Sequence, residues 1–238
     1  MSNIYRTPSF AKVDNASFDA GLRSYMQRVY AFMSMALFLT AGVAFFASRS
    51  ESLMKLIYTT PLSFVVMIAP LGFVIFFSLK VQSMSAAKAK NCLWIFSALM
   101  GLSLSSIFLV YTGISITRIF LITACTFGAT SFYGYVTKKD LTSLGSFCMM
   151  GLIGIIIASL VNLFLQSSAL EFVISIIGVF VFIGLTAYDT QKGKNMYYQV
   201  ASSNAEIIQK TAIMFALSLY MDFINLFIML LRLFGDRR

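Results

Sequence analysis

Seven stretches of this chain are apolar for the length of a bilayer crossing, and polar residues collect between them: 29–48, 62–79, 91–111, 119–136, 144–165, 170–188 and 212–234. A helix rises 1.5 Å per residue, so about 20 apolar residues cross the roughly 30 Å hydrocarbon core. In lipid the backbone must satisfy its own hydrogen bonds, which makes helices the spanning element for runs of this length. The pattern predicts an all-α membrane protein: a polar N-terminal tail over 1–28, then a single domain of seven transmembrane helices over 29–238. The tail has no early apolar core, so it does not read as a cleaved secretory signal, and the first segment is expected to act as an uncleaved anchor. Prolines stand only at 8, 61 and 70, so most of the helices are expected to be unkinked. Small residues at four-residue spacing (Ser97, Gly101 and Ser105; Ala124 and Gly128; Gly154 and Ala158) are expected to mark close helix packing.

Composition agrees with the pattern. Hydrophobic residues make up 59% of the chain and charged residues 11%, against about 25% charged in a soluble domain. No water-soluble catalytic domain can be built from the loops that remain. The net charge of +9 sits in those loops, where it orients helices and meets anionic lipid. Aromatics do not interleave with the basic residues, so nucleic acid is not an expected partner. The chain has no histidine, which removes Ser-His-Asp and Cys-His catalysis, histidine-ligated zinc and any histidine pH switch. Cys92, Cys125 and Cys148 lie on three different segments without metal-ligand spacing.

Basic residues set the expected orientation. One side carries Arg6, Lys12, Arg23 and Arg28, then Lys80, Lys88 and Lys90, then Lys138 and Lys139, then Lys192, Lys194 and Lys210. The other carries Arg49, Lys55, Arg118, Arg232, Arg237 and Arg238. The richer side, with the N-terminus, is expected to be cytoplasmic. The last three arginines conflict with that count. Either six well-oriented helices overrule them or the last segment does not fully cross; seven crossings is the reading adopted.

The last segment contains one acid, Asp222, about ten residues into the apolar run and so near the bilayer midplane. A carboxylate there costs at least a few kcal/mol and defaults to a functional reading. On a helix Ser218, Asp222 and Asn225 share a face, and Arg232 continues that side. A polar stripe of this kind faces protein or a water-filled cavity, which places the last helix centrally in the bundle. The second acid is Asp189, at the end of the sixth segment, with Thr186, Gly178 and Ser175 on its face. If the sixth and seventh helices are antiparallel neighbours, the two aspartates can meet. Two carboxylates in a low-dielectric site do not easily both ionise; they share a proton, and ionised they attract a hard cation such as calcium. Plainer readings stand beside these. Asp222 can be a packing anchor bonded to a serine or carbonyl, and Asp189 a helix-end acid beside Lys192 and Lys194. Asn162 reads as an interhelical hydrogen-bonding residue and Glu171 as a solvated loop acid. Two aspartates are a poor calcium cage, since calcium takes six to eight oxygens.

The same residues carry a likeness. The run SLYMDFINLFIMLLRLFG at 218–235 resembles the C-terminal signature of the transmembrane Bax-inhibitor-motif family, and FIGLTAYDTQ at 182–191 resembles its sixth-helix signature. GLSLSSIFLVYTGISI at 101–116, TSFYGYVTKKDL at 130–141 and GSFCMMGLIGIIIASLVN at 145–162 resemble bacterial members. The resemblance covers the chain from about residue 22. It implies a seven-helix fold with the last helix central, in a bacterial inner membrane. It also implies a pH-sensitive calcium leak whose sensor and gate is a hydrogen-bonded aspartyl pair at Asp189 and Asp222, which would also hold calcium transiently. A basic latch late in the second helix is part of the same implication. Lys80 is the nearest match, and a lysine lacks the bidentate fork of the arginine expected there.

The expected function is therefore a passive, proton-gated calcium pathway, not an enzyme, with no cofactor and with the lipid bilayer, calcium and protons as partners. The oligomeric state is left open, a monomer being sufficient. An intramembrane aspartyl protease would share Tyr188-Asp189, but it needs Gly-x-Gly-Asp where the chain has Leu219-Tyr220-Met221-Asp222. A proton-coupled cation exchanger suits midplane acids but lacks an inverted repeat. A non-conducting regulator of stress or cell death is the remaining alternative.

Overall fold

The computed structural model describes the backbone of residues 10–238 and the side chains of residues 19–81 and 83–238. Arg6 and Pro8 of the tail, and the Lys12 side chain, lie outside the described residues. The helices among the described residues are α1 (Phe10–Arg49), α2 (Glu51–Tyr58), α3 (Leu62–Lys80), α4 (Ala86–Leu104), α5 (Ile107–Val110), α6 (Gly113–Val136), α7 (Thr142–Leu165), α8 (Ser168–Val200) and α9 (Ala205–Phe234). Counting α4 and α5 as one, 7 are long and apolar enough to cross a membrane. The chain is an integral, multi-pass membrane protein of all-α architecture.

The helices outrun the apolar segments. Apolarity marks where lipid touches the chain, whereas helix length follows hydrogen bonding and burial on either side of it. α1 begins well before residue 29, and Leu22, Tyr25, Met26 and Val29 are buried at helical spacing. α8 continues through Gln191, Gly193 and Tyr197, all buried, so the loop expected over 189–211 shrinks to residues 201–204. Asn204 then caps α9 by accepting from the Ile207 amide at 2.9 Å. The third segment breaks at Ser105, whose hydroxyl bonds back to the Leu102 carbonyl at 2.6 Å. The short α2 has too few apolar residues to register as a segment; it buries Met54 and Ile57.

α9 is the centre of the bundle, as expected from its polar stripe. Seventy-two per cent (72%) of its membrane window is buried, against 44% or less for the other crossings. It packs against α8, α1, α6 and α4, while α3 and α7 lie on the outside. Thr40, Tyr220 and the Ser97 carbonyl tie α1, α9 and α4 together by bonds of 2.7 and 2.9 Å in the buried core. Gly101 lets α4 approach α1, since an added Cβ would lie 2.7 Å from the Thr40 carbonyl oxygen. The other predicted packing glycines differ. Gly128 and Gly154 have nothing within 4 Å of an added Cβ, because their faces turn outward. Spacing alone reports the face, not what lies opposite it.

At one end of the bundle the C-terminal residues clasp the start of α6. The Thr112 amide donates to the Asp236 carbonyl at 3.0 Å, the Asp236 amide to Ser115 Oγ at 2.9 Å, and Arg118 pairs with the Asp236 carboxylate at 2.8 Å. Arg237 lies 3.6 Å from Glu171, so Glu171 has an ionic partner and is not merely solvated. α9 therefore runs the full depth of the bundle, and its terminal arginines stand at the end opposite Lys139 and Lys194.

Asp140 fixes the start of α7. Its carboxylate accepts from the Thr142 hydroxyl and amide at 2.6 and 2.9 Å, and these bonds hold its pKa below the usual carboxylate range. A depressed pKa stabilises the folded state above the ordinary carboxylate pKa, and the contribution is lost as pH falls through the lower folded value. The protection of the Thr142 amide, its exchange rate relative to the intrinsic rate at the same pH, is expected to fall on that acidification, and to be low and flat with pH in Asp140→Ala.

Candidate functional site

The site lies between α8 and α9. Two glycines of α8 set their register. A Cβ added to Gly178 would meet Met229 at 2.8 Å, and one added to Gly193 would meet Phe215 at 3.1 Å. The two helices therefore run antiparallel, and the side of α9 turned to α8 carries Phe215, Asp222 and Met229 at seven-residue intervals. This pairing sets Asp222 level with Leu185 and Thr186, and Asp189 level with Ser218 and Leu219. The aspartates stand about one turn apart along the axes, roughly 5 Å.

Asp222 is 6% exposed, and its Oδ2 has no hydrogen-bond partner. Thr186 is the polar residue opposite, but its hydroxyl is committed to the Phe182 carbonyl at 2.7 Å. Ser175 likewise bonds back to the Glu171 carbonyl at 2.8 Å. Thr186 thus satisfies its hydroxyl along its own helix and leaves the carboxylate alone. Asp189 is half-buried and stands about one turn from Asp222 along the helix axes. Among the described residues no hydrogen bond joins them.

Asp189 is not at a helix end. α8 continues through eleven further residues, and the two polar residues that follow Asp189 are each used differently, because successive positions turn 100°. Thr190 points to α6, where its hydroxyl meets Ser131 Oγ at 2.8 Å; Ser131 in turn meets Tyr30 of α1 at 2.6 Å. Gln191 holds the α6–α7 connection, accepting from the Leu141 amide at 2.9 Å and donating to the Lys139 carbonyl at 2.7 Å. Lys194 donates to the Tyr135 carbonyl at 2.7 Å. Three consecutive polar residues, Asp189-Thr190-Gln191, therefore face α9, α6 and a loop. Sequence reasoning singled out only the first; the signal for the others was an unbroken polar triplet inside what proves to be one helix.

The remaining candidates are less closely gathered. Ser218 and Asn225 lie on the half-buried side of α9, next to the face of Asp222, and Arg232 is exposed at its far end. Lys80 is exposed in the last turn of α3, and among the described residues it makes no ion pair with either aspartate. Lys192 lies about one turn beyond Asp189 on α8, with its ammonium 5.7 Å from the centre of the Tyr188 ring. No group of three or more acidic or cysteine side chains forms a metal cage among the described residues, so the carboxylates supply at most part of a cation's ligand set.

The family described as "Inhibitor of apoptosis-promoting Bax1" matches residues 22–238. "Uncharacterized protein RP147" of Rickettsia prowazekii is 50% identical over 224 residues, 94% of this chain and 94% of the relative. "Inner membrane protein YbhL" of Escherichia coli is 50% identical over 220 residues, 92% of this chain and 94% of the relative. A membrane protein of Streptococcus pyogenes is 36% identical over 225 residues, 91% of this chain and 94% of the relative. The matched region takes in every membrane crossing and both aspartates, so this seven-helix membrane protein belongs to the Bax-inhibitor family.

Proposed function

We propose that the protein is a passive calcium pathway of a bacterial inner membrane, and that Asp189 and Asp222 set its response to pH. The observation that carries the reading is Asp222 itself: a carboxylate in the buried centre of the bundle, one oxygen unpartnered, one turn from a second acid on the neighbouring helix. A charge-bearing group kept at that depth without a structural bond is costly, and calcium and protons are the cations whose chemistry suits carboxylates. The half-identical relative of Escherichia coli is an inner membrane protein by name, which supports that membrane here, with the more basic end of the bundle inward.

The test is calcium entry into liposomes containing only the purified protein, followed across pH. Flux that changes with pH, with the profile flattened in both Asp189→Asn and Asp222→Asn, is the expected result. Flux unchanged in both variants would remove the pair as gate. Flux absent at every pH would return the chain to a non-conducting role, and uphill transport driven by a proton gradient would make it an exchanger.

A further inference from the structure

α1 and α6 both lie on α9 but make little contact with each other, and the space between them is a groove of 940 Å³. It runs between Arg23 and Ala44 on α1 and between Gly113 and Tyr135 on α6, about 30 Å, the depth of the hydrocarbon core. Its floor is Phe223, Ile224 and Phe227 of α9, with Phe120 of α6 edge-on to both rings at 5.4 and 6.3 Å. Polarity along it is sorted. Arg23, Gln27, Tyr30, Ser131 and Tyr135 gather at one end, and beyond them only scattered hydroxyls interrupt an apolar lining.

That sorting matches one molecule of the bilayer, with a polar head at one end and hydrocarbon for the rest. Arg23 is exposed and makes no ion pair among the described residues. Lys194, bound to the Tyr135 carbonyl, adds a second cation beside the same end. The nearest acid on α1 is Asp19, one turn from Arg23 and exposed. We propose that the groove is a binding site for an anionic phospholipid. Its acyl chains lie along α6 against Phe223 and Phe227, and its phosphate is held by Arg23. Arginine offers the fork that binds phosphate oxygens in pairs, and each basic residue near the surface favours anionic over zwitterionic lipid. This site shares no side chain with the aspartyl pair and does not depend on the calcium reading.

The experiment uses the full-length protein, stripped of lipid in detergent. Phosphatidylglycerol or phosphatidylethanolamine of identical chains is then added, and native mass spectrometry counts the lipid retained. Phosphatidylglycerol is expected to be retained several-fold better, and Arg23→Gln to reduce that preference at least threefold while leaving hydrocarbon-driven binding. Gly128 lines the groove with nothing within 4 Å of an added Cβ, so Gly128→Leu starts a side chain into open space there and is expected to lower retention of both lipids. Gly154→Leu on α7, equally open but outside the groove, should leave both unchanged. Melting curves matching the wild type confirm that the variants are folded. Equal retention of the two lipids, no effect of Arg23→Gln, or equal behaviour of the two leucine variants would overturn the proposal.

Discussion

Asp222→Leu is expected to make the protein more stable while removing the pH dependence of the calcium flux proposed above. At the centre of a membrane helix an aspartate costs about 2.5–3.5 kcal/mol on insertion scales, and leucine is slightly favourable there. The side chain is 6% exposed and its Oδ2 is bonded to nothing, so no hydrogen bond is lost on replacement. Leucine is bulkier, and overpacking returns about 1–3 kcal/mol of the gain. The net expectation is a stabilisation of about 1–2 kcal/mol, or roughly 2–8 °C in melting temperature at this chain length. The neutral carboxylic acid is cheaper to bury than the carboxylate, so the advantage of leucine should shrink as the pH is lowered. Melting in detergent across pH, beside liposome flux, reads both halves. A structural anchor predicts the opposite sign: leucine would then destabilise the bundle at every pH.

Gly134→Ala is the substitution expected to do the most damage for the least chemistry. A Cβ at Gly134 of α6 would run into the carbonyl oxygen, carbonyl carbon and Cα of Ala187 in α8. No rotamer change relieves a clash with backbone, so the two helices must part. Parting them strains the Ser131–Thr190 bond and the Lys194 bond to the Tyr135 carbonyl, and shifts Asp189, two residues from Ala187. Overpacking of this kind costs about 1–3 kcal/mol. Gly128→Ala on the same helix, with open space at its Cβ, is the control; it should be neutral or stabilise by up to about 1 kcal/mol through helix propensity. Melting curves that place the two variants together would show that α6 and α8 do not meet at Gly134.

The candidate site was legible to different degrees for physical reasons. Asp222 stands out because a single acid in an apolar run is a local signal. Asp189 was recognisable as a candidate, but its setting was misread. The apolar run stops at Tyr188 while α8 runs on to Val200, held there by Thr190, Gln191 and Tyr197 packing against their neighbours. Ser131 and Tyr30 carried no signal at all, since a serine or tyrosine in a membrane helix is ordinary until its partner is known. Glu171 seemed free for the same reason: Arg237, its partner, lies 66 positions away in the chain.

The amino-acid sequence by itself determined the number of crossings, their order and the depth of Asp222. Each of these follows from the length and polarity of a contiguous run, which the bilayer reads locally. It also determined that α9 would be central, because a helix carrying a polar stripe through lipid must be wrapped by others. Only the tertiary structure decided which polar groups meet: Asp222 level with Thr186, Asp189 one turn away, Thr190 on Ser131, and Gln191 on the α6–α7 connection. Those pairings depend on the register and rotation of one helix against another. Register and rotation are set where Gly178, Gly193 and Gly134 let α8 close on α9 and α6, contacts that no stretch of sequence contains within itself.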